Sequence, residues 1–207
     1  MLYDSSLKRQ IPFNWKVESF VHNSISTNIQ PGVDRFDTKT YIATADVKGT
    51  TIGIGSVVTF DGREGRANMQ PAVNSVWFAK MKNSVKHLYL NEEMKTFIEN
   101  TVLSTGFFGL QCTPVSFEYI SSFISNPLFE KQKDMLAHGA TQEAVNGDDL
   151  ANMKLIVPDD TVLTLFHEQT KAIWGKISQT ISENQQLSAL RDWLLPMLMN
   201  GQASIID

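Results

Sequence analysis

"DTVLTLFHEQTKAIWGKISQTISENQQLSALRDWLLPMLMNG", residues 160–201, decides how this chain is built. From Asp160 to Leu195 the stretch holds one glycine, Gly175, and no proline. Asp159 and Asp160 precede it as cap residues. Phe166, Ile173, Ile177, Ile181 (or Thr180), Asn184, Leu187, Leu190 (or Arg191), Leu194 and Leu198 recur at three- and four-residue steps. That spacing predicts one amphipathic helix, which Pro196 and Gly201 should end. About 35 residues at a rise of 1.5 Å span roughly 50 Å. A helix of that length does not fold back on its own domain along its whole extent, so the apolar stripe calls for a second helix, with Asn184 available to fix register. The alternative is that it packs in cis as part of a large α+β core.

The 158 residues before it have a different texture. Val17, Phe20, Val21, Ser24 and Ile25 fall on one helical face, which predicts a short helix after Trp15. Short strands are expected at Tyr41–Ala43, through "TIGIGSVVTFDG" (51–62), at 73–80, in "KHLYL" (86–90), in "TGFFGLQCT" (105–113) and in "MKLIVP" (153–158). Helical spacing recurs in "NEEMKTFIENTVL" (91–103) and from Val115 to Ile124. Asn126-Pro127 is a cap followed by a first-turn proline, opening a helix that should stop near Gly139. The expected architecture is α/β (α+β). A mixed-sheet domain occupies residues 1–158, and residues 159–207 form the long helix.

Composition narrows the function. Of 207 residues, 42% are hydrophobic, enough for a core, and there is a single cysteine, Cys112, which excludes a disulfide framework. No apolar run is long enough to span a bilayer and the N-terminus has no secretory pattern, so a cytoplasmic, membrane-free protein is expected. His22, His87, His138 and His167 are scattered, with no metal-ligand spacing. Gly53-Ile54-Gly55-Ser56 lacks the Gly-Lys-Ser/Thr of a phosphate loop; its glycines mark a bulge or a close backbone approach. Asn126-Pro127-Leu128-Phe129 resembles the motif of amino-methyltransferases but lacks the second proline, and no glycine-rich AdoMet loop precedes it. No catalytic set, no metal and no cofactor is expected in this chain.

The net charge is −4, against a basic nucleic-acid coat. Residues 60–90 nevertheless hold Arg63, Arg66, Lys80, Lys82 and Lys86 against only Asp61 and Glu64, a local excess of +3. Arg63, Arg66, Asn68 and Gln70 precede the strand at 73–80; Lys80, Lys82, Asn83, Ser84 and Lys86 follow it. Arginine, asparagine and glutamine are the side chains that read base edges, and lysine suits phosphate. A strand of about seven residues is roughly 20 Å long, so these are two clusters unless the fold joins them. The plain alternative is a strand with solvated ends.

Several stretches resemble one family. "GRANMQPAVNSVWFAKMKNSVK" (65–86), "STGFFGLQ" (104–111), "GATQEAVNGDDLANMKLIVP" (139–158) and "ENQQLSALRDWLLPMLMNGQASI" (183–205) resemble the specificity subunit of type I restriction–modification enzymes. "MLYDSSLKRQIPFNWKVESF" (1–20) is similar to the entry of a target recognition domain in that family. The most specific element is Leu-Arg-Asp-x-Leu-Leu-Pro-x-Leu-Met-x-Gly, Leu190 to Gly201. Family members usually carry two recognition domains, each with its helix; this chain has one of each, as a half-subunit that pairs with itself or as a C-terminal half.

The resemblance implies a non-catalytic subunit. Its recognition domain would read half of a split double-stranded DNA site from the major groove. Its helix would set half-site spacing and dock modification subunits, and through them the restriction subunit. AdoMet would bind only on the modification subunit. The residues this assigns to DNA are Arg63, Arg66, Asn68, Gln70, Lys80, Lys82, Asn83 and Lys86, with Thr141 and Gln142 added from a polar loop. Those assigned to the helix interface are Phe166, Ile173, Ile177, Ile181, Asn184, Leu187, Leu190 and Leu194. The competing reading is an assembly protein that works through its helix and reads no DNA sequence.

Overall fold

A computed structural model describes residues 1–202; residues 203–207, the last of the helical segment expected from sequence, lie outside the described residues. Its strands are β1 Leu2–Asp4, β2 Arg9–Ile11, β3 Lys16–Ser19, β4 Ser26–Asn28, β5 Thr38–Ile42, β6 Val47–Lys48, β7 Thr51–Ile52, β8 Ser56–Thr59, β9 Ala67–Met69, β10 Ser75–Ala79, β11 His87–Leu90, β12 Thr101–Ser104, β13 Phe107–Cys112 and β14 Lys154–Val157. The helices are α1 Lys95–Glu99, α2 Phe117–Ser125, α3 Pro127–Leu136, α4 Gly147–Leu150 and α5 Asp160–Met199.

Two four-stranded sheets form the centre, ordered β11-β10-β13-β4 and β8-β5-β12-β9. The first is antiparallel; in the second, β12 runs parallel to β5. The turn Thr105–Gly106 carries the chain from β12 in one sheet to β13 in the other. β10 lies between two apolar cores, and all five of its residues are buried. Val76 and Phe78 enter a core shared with α2, α3 and the start of α5, including Phe20, Phe117, Phe129 and Trp174. Trp77 and Ala79 enter the other, with Ile42, Leu88, Leu90 and Leu103. This is why its sequence is a continuous apolar run with no alternation. Gly109 on β13 completes the fit: a Cβ there would stand 2.4 Å from the Trp77 ring.

The mixed α/β domain followed by a long helix is the fold expected from the sequence. Asn126 caps α3 through its side chain, accepting from the Leu128 N–H at 2.9 Å, with Pro127 in the first turn. Asp159 accepts from the Val162 N–H at 3.1 Å to start α5. The Gly53–Gly55 stretch is a close backbone approach, with Gly55 at φ +69° and no room for a Cβ against Tyr41 O.

Three expectations are corrected. The helix predicted after Trp15 is instead β3, paired to β14, followed by a turn and β4. Asn23 Oδ1 accepts from the N–H groups of Ile25 and Ser26, and Glu18 from that of Ser24, so side chains satisfy backbone that a helix would have used. The helical pattern over 91–103 yields only a 3-10 turn and the short α1. Its β-branched end, Thr101-Val102, is captured by β5 into a buried strand. Pro196 does not end α5, which runs 40 residues to Met199, about 60 Å. The stop is at Gly201, φ +67°, where the Gln202 and Gly201 N–H groups return to Met197 and Leu198 carbonyls.

The cis reading holds for the first part of α5. Leu163, Trp174 and Ser178 are buried against the domain, and His167 Nδ1 lies 2.8 Å from Glu118 on α2. From Leu187 on, Leu187, Leu190, Trp193, Leu195, Leu198 and Met199 are exposed, while Leu194 and Met197 are half-buried.

Candidate nucleic-acid interface

The strand directions settle whether the two polar clusters meet. β9 starts where β12 ends, with Ala67 opposite Ser104, and runs away from that edge. β10 runs back and finishes at the same edge, with Ala79 opposite Phe107. Arg66 and Lys80 therefore flank one turn. The Thr105 N–H donates to Arg66 O at 2.8 Å and the Lys80 N–H donates to Gly106 O at 3.0 Å. Lys86 reaches this edge from the other side, its carbonyl accepting from the Ala79 N–H at 3.0 Å. Its Nζ donates to Thr44 O, just past the end of β5.

Loop 80–86 is braced against the segment after α3. Val145 N–H donates to Lys80 O at 3.0 Å and Lys82 N–H to Glu143 O at 2.9 Å, with a bridge between Met81 and Ala144. Thr141 and Gln142, exposed beside Glu143, thus join the same edge. Asn83 holds φ +57° and donates its N–H to Asp134 Oδ1 at 3.1 Å.

The cations on this edge differ in how they are used. Lys82 Nζ lies 3.0 and 2.9 Å from the two Glu143 carboxylate oxygens, so its charge is met internally. Arg63 staples its own loop: Nε donates to Ala67 O at 3.1 Å, Nη1 to Phe60 O, and the guanidinium lies 4.0 Å from the Phe60 ring centre. Arg66 and Lys80 have no carboxylate partner among the described residues. Partial burial, and then the neighbouring Arg66 charge, hold the Lys80 ammonium below the ordinary lysine value. Two unpaired cations that repel one another are stabilised by an arriving anion. Asn68, half-buried in β9, sits two residues along from Arg66. Gln70 lies at the far end of β9, where its Oε1 accepts from Lys39 Nζ at 3.2 Å.

The helix candidates also separate. Phe166 packs edge-on against Tyr119, centroids 5.9 Å apart, and Ile181 packs on the second core. Ile173, Ile177, Asn184, Leu187 and Leu190 are exposed, and Leu194 is half-buried. Ile173, Ile177, Ile181 and Asn184 line an open groove with Thr50.

Sequence reasoning passed over the polar group behind the edge. Lys133, Glu130 and His87 are all buried. His87 Nε2 is 2.7 Å from Glu130 Oε1, and the Tyr89 hydroxyl is 3.1 Å from His87 Nδ1. Glu130 Oε2 is 2.6 Å from Lys133 Nζ, a close ion pair without good hydrogen-bond alignment. Burial alone would raise the Glu130 carboxyl, but the His87 hydrogen bond and the close Lys133 ammonium outweigh it and hold it below the ordinary value. The signal was spacing: Lys133 falls four residues after Phe129, on the same helical face.

No family model matches the sequence. The type I restriction enzyme HindI specificity subunit of Haemophilus influenzae is 27% identical over 88 residues, which is 42% of this chain and 19% of that protein. The HsdS subunit from Thermoanaerobacter tengcongensis has the same fold, with a TM-score of 0.58 and 14% identity over 95% of this chain and 50% of that one. A chain of the type I R-M system, solved for its complex assembly and conformational transition, matches with a TM-score of 0.58 and 15% identity over 94% of this chain and 50% of its own. The resemblance read from the sequence motifs is borne out, and the chain spans about half the length of the solved chains it matches. Among the described residues no helix is long and apolar enough to cross a membrane, and no three His, Cys, Asp or Glu side chains group as metal ligands.

Proposed function

We propose that this chain is a non-catalytic, sequence-reading half of a type I restriction–modification specificity subunit. Residues 1–158 bind one half of a split duplex site, and residues 159–207 form the spacer that docks modification subunits. Those subunits supply AdoMet and the methyl transfer, and through them the restriction subunit joins. The observation that carries this reading is the unpaired Arg66–Lys80 pair, on one edge with Lys86, Asn68, Thr141 and Gln142 close by. Arg66 and Asn68 have base-reading chemistry; Lys80 and Lys86 have phosphate-binding chemistry. The overall acidity fits, because only this edge has to meet DNA.

The open apolar stripe of α5 supports a second long helix as its cover: the matching helix of another copy, or that of a second recognition domain. A two-fold pair of copies would read an inverted-repeat split site. Binding of a randomised duplex pool by the chain assembled with a modification subunit, at two salt concentrations, tests the proposal. The expected result is enrichment of one split sequence, with affinity falling steeply as salt rises. An assembled complex that retains no duplex at either salt overturns the DNA reading and leaves helix-mediated assembly in its place.

A further inference from the structure

We propose that buried Lys133 is a positioning residue for DNA discrimination: it clamps both ends of loop 80–86 and so fixes where Lys80, Asn83 and Lys86 are presented. This rests on the DNA reading above and adds a residue that never touches DNA.

Lys133 is fully buried on α3. Its Nζ donates to Ala79 O and to Ser84 O, each at 3.2 Å. One carbonyl is at the last residue of β10 and the other near the far end of the loop, two residues before Lys86. The next residue on the same helix, Asp134, accepts from the Asn83 N–H at the loop's left-handed corner. Consecutive α3 residues thus grip the loop at three backbone points. Glu130 balances the ammonium and ties it through His87 to β11, the strand into which the loop runs.

A buried ammonium is costly, and an apolar side chain of similar volume would fill the space without that cost. What an apolar residue lacks is donors for two carbonyls that face inward. The loop leaves a core strand, turns through a left-handed asparagine and re-enters a core strand within seven residues, so its backbone cannot satisfy itself. Polar groups that must be placed to a fraction of an ångström against base edges need such support. The neighbouring brace from Glu143, Ala144 and Val145 holds the loop's flank, whereas the Lys133 clamp holds its ends.

The test compares Lys133→Met, close to isosteric and without donors, with Asp134→Ala, which releases the corner and removes a carboxylate 3.8 Å from Lys133 Nζ. Both are assembled with the modification subunit. Two quantities are read. The first is amide hydrogen exchange over residues 80–86. The second is the ratio of affinity for the duplex that wild type enriches from a randomised pool to affinity for a scrambled duplex of equal length. In Lys133→Met, exchange in the loop should accelerate about tenfold or more while β10 and α2 stay protected. The affinity ratio should fall about tenfold, the value of one well-placed base contact, with the salt dependence of scrambled-duplex binding unchanged. Asp134→Ala should move both quantities the same way by less. Unchanged loop exchange overturns the proposal. So does a loop that loosens without loss of discrimination, or specific and scrambled affinities that fall together as folded protein is lost. A wild-type complex that binds no duplex is a different result: it sinks the DNA reading, while the exchange data still decide whether the clamp exists.

Discussion

The candidate DNA edge and the far half of α5 break the usual partition of residues in opposite ways. Behind the edge, charges are inside: Lys133 is 0% exposed, His87 6% and Glu130 8%. On the far helix, large apolar side chains are outside: Leu187 is 62% exposed, Trp193 61% and Met199 79%. An inside charge is tolerable only when its partners are fixed in place, so the buried trio reports a rigid scaffold completed within one chain. Exposed apolar side chains report the reverse, a surface that the second helix proposed above would cover. One region is completed from within and the other is left open, and the two can be perturbed separately.

The largest effect should come from breaking the inside charges. Glu130→Ala leaves the buried Lys133 ammonium without its close counter-charge, with only the Asp134 carboxylate 3.8 Å away, and denaturant unfolding should show a loss of about 3–5 kcal/mol. A loss under about 1 kcal/mol would mean that water or another side chain replaces the carboxylate, and the scaffold is not rigid. The same trio sets a pH response. The folded Glu130 carboxyl titrates below its ordinary value, so its stabilisation is fully present above the ordinary carboxylate value of 4.5. It is lost as pH falls through the lower, folded value. Unfolding curves across the acid range should therefore steepen below pH 4.5 in wild type. Glu130→Gln, which cannot titrate, should remove that part of the slope.

This asymmetry explains what the sequence revealed. The long helix, β10, β11, β13 and the Asn126-Pro127 start were legible because each is a local pattern: periodicity, an unbroken apolar run, or a cap. The segment Val17–Ile25 was not, because its helical spacing was outcompeted by pairing with β14, about 135 residues away in sequence, and by the Asn23 turn. The candidate edge was half legible. The residue types of Arg66 and Lys80 were visible, but their meeting at one turn depends on the sheet-to-sheet crossing at Ser104–Phe107, which no local pattern encodes. That Lys82 is met by Glu143 is likewise tertiary, whereas Arg63 is held within its own loop by Phe60. Lys133 was hidden because a lysine on a short helix reads as solvated until the face it shares with Phe129 is known to be buried.

Breaking the outside stripe should cost the monomer little. Leu187→Gln together with Leu190→Gln replaces exposed residues, so the unfolding free energy should move by no more than about 0.5 kcal/mol per site. If copies pair through this stripe as proposed, self-association, followed by sedimentation over a range of concentrations, should be lost. A variant that unfolds readily would show instead that these leucines pack in cis, and the contrast between the two regions would fail.

The smallest effect is also the most selective, because it asks which cations at the edge are free. Each phosphate contact contributes about 0.9 to the slope of log affinity against log salt. Arg66→Ala and Lys80→Ala remove charges with no carboxylate partner among the described residues, so each should lower the slope for the assembled complex by roughly one. Lys82→Ala removes a charge already met by Glu143 at 2.9 Å. Binding DNA through Lys82 would first require parting that pair, so its slope change should be well below that of either neighbour. The order Arg66 and Lys80 above Lys82 follows from the geometry and not from composition, since all three are equally basic in sequence. Equal slope changes at all three positions would mean that the Glu143 pair opens freely on binding, and that the edge is less preorganised than its buried support implies.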